Sequence, residues 1–284
     1  MTLRTVNNLF FGGILAGMLI ACEDINDVVN PVPTPPKTQD EQPNPNNPPP
    51  GQTPGQENGI STLAKGYQSQ SGNWSVSRQY EYNANGKMSK VIWESRTPFT
   101  QTGSYVYAYD ENGNIASVTD HFGDVKQYVW ENNRVIRENK IDNNFIAEYK
   151  SFTYDNGGRI SSVAEYYLKH EGHYSLRGVT EYLYFTDGNL YKSMFFTYDP
   201  YNNRYELTNT KVYEFYIDAP NPFPMVEVVP GIVMQIKLPG KHSVITGNQT
   251  IDYTLTYTFR SDGYPLSRTA SSIYGNEHTT YSYY

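Results

Sequence analysis

The chain has 284 residues, with 29 acidic and 22 basic side chains, a formal charge of −7 and one cysteine. A single thiol excludes a disulfide framework and a thiolate-built metal site. Arg4 belongs to the leader and residues 22–58 hold six acids against Lys37, so only −3 falls on the remainder; a nearly neutral domain lacks the basic footprint that nucleic-acid binding requires.

Arg4 precedes an apolar run over residues 9–20 that is broken only by glycines. The run is too short to span a bilayer and matches the core of a signal peptide. It ends in Leu19-Ile20-Ala21-Cys22, which resembles a lipobox. That likeness implies a leader over residues 1–21 and acylation of Cys22, each buried methylene contributing roughly 0.8 kcal/mol to membrane attachment. The alternative is an ordinary secretion signal with a chance cysteine. Glu23-Asp24-Ile25-Asn26-Asp27 is similar to the export signal of Bacteroidota-type surface lipoproteins, implying a lipid-anchored protein of the outer membrane that faces the cell exterior.

Residues 30–58 contain ten of the eighteen prolines and almost nothing apolar. Such a composition cannot bury enough surface to fold, and its prolines favour an extended polyproline conformation. Residues 22–58 are therefore expected to be a spacer, and residues 59–284 the folded domain.

From Tyr80 onward, aromatic pairs spaced two apart return seven times: Tyr80/Tyr82, Tyr107/Tyr109, Tyr128/Trp130, Phe152/Tyr154, Tyr182/Tyr184, Phe196/Tyr198 and Tyr257/Phe259. Two residues is the period at which strand side chains return to one face, so each pair is expected to project from the same side of a sheet. Glycine follows the first aromatic by six residues at Gly86, Gly113, Gly158, Gly188 and Gly263, where a tight reversal needs positive φ. Asn132-Asn133 and Asn202-Asn203 take that place in two copies, and asparagine is the usual substitute there. Each copy predicts a hairpin. The aspartates beside these turns do not form a calcium loop, because Asp110 to Asn114 is followed by apolar Ile115 rather than by further oxygen ligands.

Tyr109-Asp-Glu-Asn-Gly-Asn-Ile115 and Tyr154-Asp-Asn-Gly-Gly-Arg-Ile160 resemble the tyrosine-aspartate repeats of Rhs-type shell proteins, although the array is much shorter. Residues 60–284, with the turn Asp262-Gly263-Tyr264-Pro265, resemble a family of Bacteroidota lipoproteins of unknown function. Members of that family are associated with a porphyrin ligand, so the resemblance implies a possible bound haem or porphyrin without assigning residues to it. The fold expectation is all-β: an antiparallel meander of repeated hairpins forming one curved sheet or open barrel-like domain, its tyrosines lining a partly wet groove.

Catalytic signatures are missing: there is no Gly-x-Ser-x-Gly, no phosphate-binding glycine loop and no His-Glu-x-x-His. The chain is expected to be a binding protein rather than an enzyme. Lys169-His-Glu-Gly-His173 puts two histidines three apart, where a hairpin tip is expected to splay them and leave a solvated loop. The repeat stops over residues 218–241, whose prolines cannot pair as a central strand. That insertion is either a lid on a ligand site or a hydrophobic cap. As a lid, its anchors would be Phe223, Met225, Met234 and His242, the sulfurs and imidazole being able to ligate a haem iron. The competing expectations are a glycan-binding surface module and a structural or adhesive repeat without a small ligand.

Overall fold

The computed structural model describes residues 63–170 and 172–284. The leader, Cys22 and the proline-rich spacer lie outside the described residues. The folded part is all-β, as eight hairpins in chain order: β1 (Ala64–Ser71) with β2 (Trp74–Tyr82), β3 (Met88–Thr97) with β4 (Phe99–Tyr109), β5 (Ile115–Asp120) with β6 (Val125–Glu131), and β7 (Arg134–Asp142) with β8 (Phe145–Tyr154). These continue as β9 (Ile160–His170) with β10 (His173–Tyr184), and β11 (Leu190–Asp199) with β12 (Arg204–Glu214). After a two-stranded excursion, β13 (Ile217–Pro220) with β14 (Lys237–Leu238), come β15 (Lys241–Thr246) with β16 (Gln249–Phe259) and β17 (Pro265–Ser272) with β18 (Gly275–Tyr283).

All pairings are antiparallel: β13 pairs only with β14, and the other sixteen strands pair with their neighbours, β1 with β18 closing the barrel. The barrel is closed rather than open. Local patterning is blind to this, because the closing pair joins residues more than 200 positions apart, such as Gln68 and Thr280.

The turns at one end follow the expected chemistry. Gly86, Gly113, Gly158, Gly188 and Gly263 have φ between 72° and 88°. Asn132 and Asn133 substitute there at φ of 50° and 60°, whereas Asn203, at φ 49°, lies in the β11–β12 turn at the opposite end. Asp110 is a turn residue: its carboxylate accepts from the Asn114 backbone N–H at 2.7 Å and side-chain amide at 3.2 Å, a local geometry that holds the loop shut.

The aromatic pairs explain how so many tyrosines fit inside. One aromatic per hairpin donates to a backbone carbonyl at or just before the start of the preceding strand: Tyr82 to Ala64, Tyr109 to Met88, Trp130 to Ile115, Tyr154 to Val135, Tyr184 to Ile160, Tyr216 to Leu190, Tyr257 to Pro239 and Tyr283 to Pro265. All eight bonds are 2.6–2.8 Å long. They form a ring at the glycine-turn end and satisfy seven hydroxyls and the Trp130 indole N–H, which burial would otherwise penalise. Cations cap several of the rings from outside, with Lys87 over Tyr109, Arg134 over Tyr154, Arg159 over Tyr184 and Arg260 over Tyr283. Phe196/Tyr198 departs from the expectation. Val163 lies in the inner core and pairs with Thr180, which pairs with Phe195, so Phe196 and Tyr198 face outward. That copy has the right spacing but sits at the other end of its strand, beside the turn at residues 200–203.

Alternation decides the outer face. On β16 the outward Thr254, Thr256 and Thr258 are exposed, while Leu255 is buried inside. Gln68 and Gln70 on β1 and Thr280 and Ser282 on β18 are likewise exposed and polar. Half of the circumference, from β15 through β18 to β5, is therefore dressed mostly in Ser, Thr, Gln and charge, with Val106 on β4 an exposed apolar exception.

Candidate functional site

A sixteen-stranded barrel is too wide for its own wall side chains to fill. Residues 215–240, the insertion between β12 and β15, fold inward from the glycine-turn end and touch three walls. Phe223 stacks on Tyr281 at 4.8 Å and meets Tyr67 and Tyr80 edge-on or tilted at 5.8 and 5.9 Å. Val228, Val229 and Ile232 pack against the inner residues of β5 to β9, including Ile115, Tyr128, Phe152 and Val163. Met225, Val226 and Met234 pack against Tyr184, Leu190 and Tyr213. The insertion is thus a plug that seals one end.

Polar bonds fix the plug internally and to the wall. The fully buried Gln235 accepts from the Met225 and Val226 N–H groups at 2.9 and 3.3 Å and donates to the Tyr216 hydroxyl. Asn189, also fully buried, accepts from Lys237 N–H at 2.9 Å, and Leu190 N–H donates to Met234 O at 2.9 Å. Phe215, at φ 55°, is the strained corner from which the chain enters the plug, and Gly240 is required beside it because a Cβ there would stand 2.6 Å from Phe215 O.

The four residues singled out from the sequence do not converge on one point. Phe223 lies on the β1, β2 and β18 wall, whereas Met225 and Met234 lie on the β10 to β12 wall, with Met234 2% exposed. His242 is not on the plug; it projects inward from β15, sandwiched between Tyr213 at 5.8 Å and Tyr253 at 4.5 Å. Its Nδ1 is buried without a hydrogen-bond partner. Burial, assisted by the Lys211 and Arg268 charges, pushes its pKa down to about 4. The histidines of the 170–173 tip do not splay: His170 and His173 pair across the hairpin, ring centroids 4.4 Å apart. No cluster of three or more metal-ligating side chains occurs among the described residues.

Above the plug the lumen is lined by groups that the sequence left unassigned. Arg78 on β2 pairs with Tyr67 and lies on the same face as Tyr80. Glu227, on the plug, is coupled electrostatically to Arg78. Desolvation raises the Glu227 pKa, the Arg78 charge opposing that rise. The surrounding hydroxyls of Tyr80 and Tyr107 are likewise pushed up by burial. No carboxylate lies within salt-bridge distance of Arg78 among the described residues. Its neighbour Arg268 differs: it donates to Glu277 at 2.6 Å and to Thr279 at 3.1 Å, leaving Nε without a partner. Further around the wall, Lys150 pairs with Glu165 at 3.1 Å and Lys126 with Glu138 at 3.7 Å.

The far end has no plug among the described residues. Its hairpin tips carry exposed apolar side chains: Phe99 (79%), Phe122 (75%), Tyr201 (76%), Ile273 (81%) and Tyr274 (74%). Just inside, Trp93 meets His121 edge-on at 5.7 Å, and glycine at 103 makes room for both rings, since a Cβ there would fall 2.5 Å from the His121 ring unless that ring moved. Arg78 was legible as a wall residue, being two positions before Tyr80. Glu227 was not, because its place depends on the path of the plug.

No protein-family model matches the sequence, and no curated protein matches it. Among solved structures, the chain is similar to a porin-like protein from Bacteroides uniformis, with 14% identity, TM-score 0.52, and coverage of 79% of this chain and 98% of that one. A porin-like protein from Bacteroides vulgatus matches at 11% identity and TM-score 0.45, covering 78% and 99%. The Bacteroides uniformis likeness establishes a shared fold: the chain is a closed antiparallel β-barrel of the same architecture.

Proposed function

We propose that this is a lipid-anchored envelope protein whose plugged barrel binds a small, ring-bearing acid in its lumen, and that it binds rather than catalyses. The observation that carries the reading is Arg78: an inward guanidinium set among the rings of Tyr67 and Tyr80 and coupled to the Glu227 carboxylate of the plug without a salt bridge to it. Arginine presents a planar fork to a carboxylate or phosphate, and the flanking rings offer stacking surface for the rest of the ligand. A porphyrin with its propionates fits that description. An acidic sugar is the second reading, favoured by the exposed Phe99, Phe122, Tyr201 and Tyr274 around the mouth.

The polar half of the outer face supports a barrel that does not span the bilayer, since a membrane-spanning barrel needs an apolar belt around its whole circumference. Attachment then falls to acyl chains on Cys22. The described chain begins at the plugged end, where Ala64 accepts from Tyr82, so a tether ahead of β1 would join the barrel there.

The test is a titration of residues 59–284 with haemin, followed at the Soret band, and separately with a glucuronate oligosaccharide, followed by calorimetry. Saturable binding of either ligand that weakens about tenfold in Arg78→Gln, as expected for loss of a charge-assisted hydrogen bond worth about 1.5–3 kcal/mol, supports the proposal. Absence of saturable binding to both, or binding indifferent to Arg78→Gln, overturns it.

A further inference from the structure

The ring of hydrogen-bonded aromatics is a ruler for depth inside the barrel. Arg78 lies four residues before Tyr82, Tyr253 four before Tyr257 and Thr279 four before Tyr283. Side chains return to one face every second residue, so these three positions face the lumen at one level, below the ring. Cross-strand pairing adds His242, opposite Tyr253, and Arg268, opposite Thr279. Lys211 completes the level on β12, two residues before the plug-packed Tyr213, which pairs with His242. One arc of the wall, from β2 round to β12, therefore presents Arg78, Arg268, His242 and Lys211 to the lumen.

The rest of that level is neutralised from within. Lys126 and Lys150, at the same distance from Trp130 and Tyr154, pair with Glu138 at 3.7 Å and Glu165 at 3.1 Å. On the arc itself Arg268 is held by Glu277 at 2.6 Å. Lys211 differs. Its direct cross-strand neighbours are the uncharged Ser193 and Val244, and no carboxylate lies within salt-bridge distance of it among the described residues. Desolvation lowers its pKa with no acid opposing the fall. His242, its diagonal neighbour across β12 and β15, has Nδ1 without a hydrogen-bond partner. An ammonium offers three donors and no acceptor, and an anion brought to it makes charge-assisted bonds that offset the cost of holding the charge inside.

We infer that Lys211, with His242 beside it, is a second anion anchor, and that the lumen takes a chain of acid-bearing rings whose separated acidic groups reach Arg78 at one end of the arc and Lys211 at the other. The inference rests on the reading of Arg78 as an acid-binding group and narrows the ligand to one with two or more acids. Six strand steps separate β2 from β12, about 29 Å along the wall. The long arginine and lysine side chains shorten that span, yet two acids borne by a single sugar ring do not bridge it, so the acids belong to different rings. Tyr253, stacked on His242 at 4.5 Å, lies between the anchors and offers a ring edge to the intervening units. The neutralised wall of β6 to β9 has no such demand for an anion, which sets the ligand against the β12 to β2 side.

The experiment titrates the unacylated chain of residues 23–284 with a glucuronate oligosaccharide by calorimetry, in the parent, Arg78→Gln and Lys211→Met. Each variant is expected to bind about tenfold more weakly, the loss of one charge-assisted contact. A second measurement needs no variant: reductive methylation of Lys211 in the parent, mapped by peptide mass, is expected to slow about tenfold at an oligosaccharide concentration about ten times Kd, while exposed Lys65 reacts at its free rate. Binding that weakens in Arg78→Gln but is indifferent to Lys211→Met overturns the second anchor and leaves the Arg78 reading standing. A Lys211 that the bound oligosaccharide does not protect overturns the second anchor whatever the variants do. Absence of saturable binding also overturns it, and haemin titrated against Arg78→Gln then decides the Arg78 reading by itself.

Discussion

Tyr184→Phe isolates one bond of the tyrosine ring. Tyr184 is 6% exposed and its hydroxyl donates to Ile160 O at 2.8 Å, with the Arg159 guanidinium 4.7 Å from the ring centroid. Phenylalanine keeps the ring, its packing and most of the cation contact, so the change removes only the hydroxyl. The net loss of a hydrogen bond is about 1 kcal/mol, and the stranded carbonyl raises the expected cost to about 1–2 kcal/mol. With a urea slope of about 3 kcal/mol per molar for a domain of this size, the midpoint should fall by about 0.3–0.7 M. Tyr198→Phe is the control: its hydroxyl bonds exposed Asn203 at 2.6 Å outside the barrel, and its midpoint should move by less than half as much. Tyr283 lies on β18, so Tyr184→Phe and Tyr283→Phe should add to within about 0.5 kcal/mol. A Tyr184→Phe midpoint within 0.1 M of the parent, as an order-of-magnitude threshold on the same urea scale, would refute the claim that these bonds hold the hairpins in register.

His242 makes the stability dependent on pH. Its folded pKa, about 4, lies below its ordinary value of 6.5, so the unfolded chain binds the proton more readily than the folded one. The contribution is present above pH 6.5 and is lost as pH falls from 6.5 towards 4, by at most about 1.4 kcal/mol per pH unit. Urea midpoints at pH 7.5 and 5 should therefore differ more in the parent than in His242→Gln; equal differences would contradict the assignment. Gln235→Leu strands the Met225 and Val226 N–H groups, at a cost of about 2–4 kcal/mol confined to the plug. Hydrogen exchange should accelerate at Met225, Val226 and Leu190 and stay unchanged on β1 to β4, whereas uniform acceleration would mean that plug and wall unfold as one unit.

The parts of this fold that are written locally were legible and the parts that depend on closure were not. Alternating Ile251, Tyr253, Leu255 and Tyr257 give the inner face of β16 directly, and glycine at a fixed distance from each tyrosine gives the turn. Phe196/Tyr198 shows where local spacing fails, because the same two-residue period serves the outer face just as well. Strand count and closure depend on pairings such as Tyr67 with Tyr281, which no window of sequence contains. At the site, prolines marked residues 218–241 as irregular, and their apolar content was compatible with a cap. That Phe223 and Met234 rest against different walls, and that Glu227 faces Arg78, follow only once the barrel curves around the plug.

The central claim is that the barrel carries its chemistry inside and touches the membrane only through its tether. The most direct measurement is flotation of purified residues 59–284 with phospholipid vesicles, after preparation without detergent. The account predicts a soluble monomer that stays in the dense fraction with its β-sheet signal intact. Co-flotation with the vesicles, or a requirement for detergent to remain folded, would contradict it.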